Sequence, residues 1–239
     1  MTLQISPTAE TLADEAARIL AATMTAHPRG LFCLAAGDTP RLAYQRLTVR
    51  LRTEGFDASG LRFVALDEWR GLAPDAPGGC QKFLRDAVFD PLGVDPAQVA
   101  FFDAQATDAE AECRRIDRWI QDCGPLVTAV LGIGMNGHLG FNEPGTPADS
   151  VTRPVDLDAV TQRVGTKYFA GRAPSQGLTL GLGTLLAARE VILLATGSAK
   201  ASIVRSALDP AQFPLVPAAV LNRHPRALFL VDEEAGRLV

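Results

Sequence analysis

The sequence predicts a three-layer α/β/α domain built on a mainly parallel, Rossmann-like sheet. Two observations carry this. Short, β-rich apolar runs alternate with longer segments of helical period, the pattern of strands covered on both faces by helices. The chain of 239 residues, 47% hydrophobic and 21% charged, has ordinary globular composition and is long enough to bury a sizeable core. It shows no internal repeat and no low-complexity linker, so residues 1–239 are read as one domain.

The elements follow in order. A helical pattern over 8–26 precedes the first strand candidate, 31–36. The turn Gly37-Asp38-Thr39-Pro40 comes next, with Thr39 expected as N-cap and Pro40 as the first residue of a helix reaching 52. A strand over 61–66 runs straight into Asp67-Glu68-Trp69. A helix over 81–90, a strand over 99–102 and a helix over 108–122 lead to a strand over 126–131. After a long irregular stretch come a helix over 182–188, a strand over 191–195, a helix over 199–208 and a last strand over 227–231. The irregular stretch, 142–177, is rich in Gly, Pro, Ser and Thr, with one weak helical patch over 158–164. Long segments of this kind inside a compact domain are usually functional or mobile. Here the reading is either a lid, about 145–177, or a surface excursion.

Composition narrows the function classes. A net charge of −4 argues against a dedicated nucleic-acid binder, which would be basic, but leaves room for a local cationic cluster and an anionic substrate. Cys33, Cys80, Cys113 and Cys123 form no CxxC pair and no metal-like spacing with His, so reduced, packed thiols in a cytoplasmic protein are expected. Glu10, Asp14 and Glu15 leave no basic region ahead of an apolar run, so no signal peptide is expected. No apolar stretch reaches the roughly 18 residues that cross a bilayer. No membrane partner is expected.

Four segments carry chemistry. The first is the loop after the 126–131 strand, which holds Asn136, His138, Asn142 and Glu143 among glycines. His138 is one of three histidines; the others, His27 and His224, each precede a proline in an expected loop and are read as surface residues. An imidazole and a carboxylate on a strand-end loop suggest proton transfer on a small molecule. Residues 132–137 match G-x-G-x-x-G, but a dinucleotide site needs those glycines to open a helix. His-Leu-Gly-Phe-Asn-Glu-Pro-Gly cannot begin one. The second segment is the turn at Gly37 to Pro40, where a helix start favours an anion such as phosphate, though an ordinary strand–helix turn has the same pattern. The third is the Asp67-Glu68 pair, either member of which could be a base. The fourth runs through Gly197 to Lys200, where a lysine and a second glycine turn could complete a phosphate pocket. All four follow strands, so an open parallel sheet gathers them at its carboxyl edge, where ligands bind.

Together these segments resemble the glucosamine-6-phosphate deaminase/isomerase family, related in fold to 6-phosphogluconolactonases. The likeness spans nearly the whole chain and includes Thr152-Arg153 and the Leu-Gly-x-Gly-Thr stretch at 180–184. Asn142-Glu143-Pro144-Gly145 favours the deaminase branch. The resemblance implies that Asp67 moves a proton from C2 to C1 of an open-chain amino sugar. It further implies that His138 assists ring opening, that Glu143 orients and tunes His138, and that Gly37, Thr39, Lys167 and Lys200 hold the 6-phosphate. It implies no metal and no organic cofactor, a sugar-phosphate partner, and a monomer or homo-oligomer.

This sequence departs from the pattern at several positions. Asn136 stands where most deaminases carry Asp; an amide can bond the imidazole but offers it no charge. Asp38 replaces a Gly or Ser and must point away from phosphate or alter its site. Lys167 replaces an Arg, losing the bidentate fork. Val155 replaces a basic residue of allosterically regulated members, which speaks against an effector site of that type. Conversion of glucosamine or galactosamine 6-phosphate to the ketose 6-phosphate plus ammonia is the leading expectation. A lactonase-like hydrolase and a non-catalytic sugar-phosphate sensor are the alternatives.

Overall fold

The computed structural model describes residues 1–169 and 173–239. Residues 170–172 of the expected lid segment lie outside them. Strand β1 (Thr2–Ser6) leads to helix α1 (Ala9–Ala26), which Thr8 caps in a reciprocal capping box with Thr11. Strand β2 (Leu31–Leu34) feeds α2 (Asp38–Thr53), and β3 (Arg62–Ala65) passes into a three-residue strand, β4 (Asp67–Trp69). The expected helix over 81–90 is α3 (Cys80–Leu84), a π-helical turn over Arg85–Phe89, and a short α4 (Asp90–Leu92). Then come β5 (Val99–Ala100), α5 (Ala109–Cys123) and β6 (Leu126–Gly132). The irregular stretch contains β7 (Arg153–Asp156), α6 (Ala159–Gly165) and β8 (Gln176–Thr179). The chain finishes through α7 (Leu182–Leu186), β9 (Glu190–Ala195), α8 (Ala201–Ala207), β10 (Ala227–Asp232) and α9 (Glu233–Gly236).

The main sheet has seven strands in the order β1-β10-β9-β6-β2-β3-β5, and every pairing in it is parallel. Helices α1 and α2 cover one face, burying Leu12, Leu20, Met24, Tyr44 and Leu47 against Phe32, Phe63 and Leu230. Ile116 of α5, Leu185 of α7 and Val204 of α8 pack on the other face against Cys33, Ala129 and Leu193. Burial on both faces explains why the central strands are uniformly apolar rather than alternating.

A second sheet, absent from the sequence reading, is antiparallel with order β4-β8-β7. It extends β3 past the sheet edge and fixes Asp67 and Trp69 in place. Trp69 packs edge-on against Phe141 and Phe169 at centroid distances of 4.8 and 5.4 Å.

Two local expectations are corrected. Thr39 does not cap α2: the N-cap is Gly37 at φ +135°, with no side-chain cap, and the helix begins at Asp38. A left-handed φ here suits only glycine, and Pro40 is tolerated inside the first turn because its missing N–H would be unpaired there anyway. His224, expected at the surface because it precedes Pro225, is 3% exposed. Its Nε2 donates to the Ala188 carbonyl at 2.8 Å and its Nδ1 accepts from the Arg226 N–H at 3.1 Å. Two backbone partners satisfy the ring and permit its burial.

Candidate active site

The segments that leave β2, β3, β6 and β9 meet the stretch from α6 to Tyr168 around a cavity of about 500 Å³. Gly37, Thr39, Asp67, His138, Lys167 and Lys200 all reach its wall. Asn136 and Glu143 stand one layer behind, bonded to the imidazole.

At one end the uncapped start of α2 meets the cavity. Unsatisfied N–H groups and the positive end of the helix dipole favour an anion there. Lys200 adds a cation: its Nζ donates to the Ile133 carbonyl at 2.6 Å. Burial first, and the charge of Lys167 second, bring its pKa down to about 8. The Gly197 turn is not part of this end. Its N–H is taken by the Asp232 carboxylate at 3.0 Å, which corrects the expectation of a second glycine turn.

Asp38 neither points away from this end nor leaves Lys167 free. Lys167 Nζ donates to Asp38 Oδ2 at 2.6 Å, and the Tyr168 hydroxyl donates to the same oxygen at 3.2 Å. Partial burial pushes the Asp38 carboxyl up, but the Lys167 hydrogen bond and charge outweigh it and hold the pKa below its ordinary value. The ion pair joins the start of α2 to the stretch after α6.

The two members of the acidic pair are held differently: Glu68 by the backbone, Asp67 at the cavity wall. Glu68 accepts from three backbone N–H groups, Trp69 and Cys80 at 2.9 Å and Gln81 at 2.7 Å. It thereby ties β4 to the start of α3. Asp67 lines the cavity with one side-chain bond, from Cys80 Sγ to Oδ1 at 3.4 Å. Burial raises its pKa to about 7, with the neighbouring Glu68 charge adding to the rise and the Cys80 thiol opposing it. A carboxyl that half-ionises near neutrality can both take and return a proton.

The β6 loop shapes the other wall. Gly134 is a packing requirement: a Cβ there would lie 2.3 Å from the His138 ring. Gly137 turns the chain at φ +84°. No helix follows these glycines, so they serve the imidazole rather than a dinucleotide. Behind the ring, Asn136 Nδ2 donates to Glu143 Oε2 at 2.9 Å. A carboxylate only accepts, so this bond fixes the amide and turns Oδ1 toward His138 Nδ1, 2.7 Å away. Neutral His138 therefore carries its proton on Nδ1 and leaves Nε2 bare. Glu143 Oε2 is 3.5 Å from Nδ1. Burial raises the Glu143 carboxyl, but contacts from His138, Thr161 and Asn136 reverse this and hold its pKa below normal.

Two cavity residues escaped the sequence reading. Cys80 is 6% exposed and touches Asp67, yet its position marked it only as a packed thiol. Thr161 of α6 places Oγ1 at 3.0 Å from His138 Nδ1; nothing in its neighbourhood along the chain announces this. Among the described residues no cluster of His, Cys, Asp or Glu has the arrangement of a metal site, and no helix is long and apolar enough to cross a membrane.

The fold is that of an α/β enzyme, whose cavity gathers a carboxyl, an imidazole and two lysines at the carboxyl edge of the sheet. The chain belongs to the Glucosamine-6-phosphate isomerases/6-phosphogluconolactonase family, whose model matches residues 5–230. A glucosamine-6-phosphate deaminase of Bacillus pumilus is 35% identical over 231 residues, covering 96% of each chain. The solved structure of a monomeric glucosamine-6-phosphate deaminase superposes with a TM-score of 0.97 at 35% identity, covering 100% of both chains. The 6-phosphogluconolactonase of Trypanosoma brucei shares the fold alone, with a TM-score of 0.78 at 22% identity over 99% of this chain and 97% of its own.

Proposed function

We propose that this protein is an amino-sugar-6-phosphate deaminase, converting glucosamine 6-phosphate or its galacto epimer to the ketose 6-phosphate and ammonia. The observation that carries the reading is Asp67, a buried carboxyl with a pKa of about 7, in the same cavity as an imidazole whose Nε2 is bare. Full-length similarity to deaminases at 35% identity supports it.

In this reading the 6-phosphate lies against Gly37, Thr39 and Lys200, with Lys167 leaving Asp38 to join it. His138 Nε2 takes the proton of the anomeric hydroxyl and delivers one to the ring oxygen, opening the pyranose. Asn136 and Glu143 keep the ring in the tautomer that allows this. Asp67 then removes the C2 proton, O1 takes a proton from the substrate's own C2 ammonium to give an enediol-like enolamine, and the Asp67 acid returns its proton to C1. The C2 imine takes up water and loses ammonia. Positioning by the phosphate and acid–base transfer are the two sources of rate. Within the expected lid segment 145–177, it is α6 and the turn to Tyr168 that line the cavity and serve as the lid of the single domain. The four free cysteines fit a reducing, cytoplasmic setting.

Coupled assay of ammonia release from both amino-sugar phosphates tests the reading. Turnover of at least one, abolished by Asp67→Asn, is expected. Folded protein that turns over neither, or that hydrolyses 6-phosphogluconolactone with Asp67→Asn unimpaired, would refute it.

A further inference from the structure

The group that reaches His138 from farthest along the chain is the Thr161 hydroxyl. Thr161 is 4% exposed, its Oγ1 lies 3.0 Å from His138 Nδ1, and it also supports the Glu143 carboxylate. Because Nδ1 carries the proton, Oγ1 accepts a share of that N–H and turns its own hydrogen toward Glu143. The same helix touches Glu143 a second time, through the Asp158 N–H, which donates to Oε1 at 3.2 Å. Further along the same stretch, Lys167 meets Asp38 at the anion end. Between these contacts Gly165 seats against Trp69, where a Cβ would come within 2.7 Å of the ring. One short piece of chain thus touches the imidazole at one end and the anion cradle at the other.

We propose that Thr161 is a positioning residue that makes the setting of the His138 ring depend on how α6 is seated. Through it, an anion that draws Lys167 from Asp38 at one end alters the imidazole at the other. With α6 displaced, Nδ1–H keeps only the Asn136 amide. The ring is then free to tilt and Nε2 loses its aim at the sugar oxygens. The proposal rests on the deaminase reading for the role of His138.

Thr161→Val removes the hydroxyl at nearly constant shape, and Thr161→Ser restores it. In ammonia-release assays the valine variant is expected to lose kcat by about 10–100-fold with KM within about threefold, the scale of a misplaced reacting group. The serine variant is expected to recover most of the loss. Unchanged kcat in the valine variant, a loss confined to KM, or failure of serine to rescue overturns the proposal. Thr161→Ala takes the place of valine if that variant does not fold.

A second readout needs no turnover. Inorganic phosphate titrated into the full chain is expected to move the His138 ring signals in nitrogen NMR, and the movement is expected to vanish in Thr161→Val. An identical phosphate response in the variant overturns the coupling. Absence of ammonia release by the wild type would instead refute the deaminase reading, with the phosphate response still deciding the role of Thr161.

Discussion

Asp67→Asn is expected to abolish deamination and yet to stabilise the fold at alkaline pH. Unfolded, the Asp67 carboxyl ionises at its ordinary value of 3.8; folded, burial and Glu68 raise this to about 7. Between those values the folded state holds a proton that the unfolded state has lost, so stability falls as pH rises. The loss begins near the ordinary value and is complete just above neutrality. Three pH units are a factor of about a thousand, or roughly 4 kcal/mol, of which about 2–3 kcal/mol falls between about pH 5 and pH 8. Asparagine keeps the shape and cannot ionise. Its Oδ1 still accepts from Cys80, and its N–H₂ faces the open cavity, so no buried donor is stranded. Urea unfolding of both proteins, followed by tryptophan fluorescence across that pH range, measures the effect. The gap in favour of the variant should widen by roughly 2–3 kcal/mol from about pH 5 to pH 8, the groups common to both proteins cancelling. A gap that stays constant or narrows would mean that Asp67 is ionised in the fold throughout, and the acid–base argument for it would fail.

The remaining predictions concern the same cavity. The kcat/KM for an amino-sugar phosphate should rise as Asp67 ionises around pH 7 and fall as Lys200 loses its proton around pH 8, giving a narrow bell. Lys200→Arg should move the alkaline limb upward while raising KM; a limb that stays in place would absolve Lys200. Asp38→Ser should release Lys167 and remove a repelling carboxylate, lowering KM about two- to fivefold, in keeping with an exposed ion pair. An unchanged or higher KM would show that Asp38 assists binding. Glu68→Ala strands three backbone N–H groups and should destabilise the fold by about 3 kcal/mol or more in urea unfolding. A loss below about 1 kcal/mol would mean that water replaces the carboxylate.

The centre of the main sheet was legible because β2, β6, β9 and β10 are largely apolar runs, which burial on both faces demands. The edge strand β1 (Thr2–Ser6), buried only at Ser6 and with Thr and Gln in its five residues, was not read. The smaller sheet was not legible either. β4 is Asp-Glu-Trp, β7 contains Pro154 and β8 contains Gly177, all against strand propensity. Their pairing comes from tertiary context, including the three N–H groups that satisfy Glu68. The site divides the same way. Asp67 and His138 stand directly after apolar strands and were found by that position. Cys80 and Thr161 reach the cavity only because α3 is docked on Glu68 and α6 folds back across the loop, so no local pattern marks them. His224 misled because a neighbouring proline suggested exposure, whereas its two backbone bonds decide its burial. Pro40 was placed at the wrong helical position because Gly37, through its left-handed φ, starts the helix earlier.

Strand β1 has a single neighbour in the sheet, β10, with Thr2 opposite Leu228 and Ser6 opposite Asp232. During synthesis this edge cannot form until β10 has left the ribosome, whereas β2, β3 and β5 already have one another by then. The early-made strand waits unpaired while the middle of the sheet assembles, and long-range parallel pairing of this kind is slow. The order of assembly is therefore centre first and edge last. Damage to β10 would expose β9 as a new edge and release β1 together.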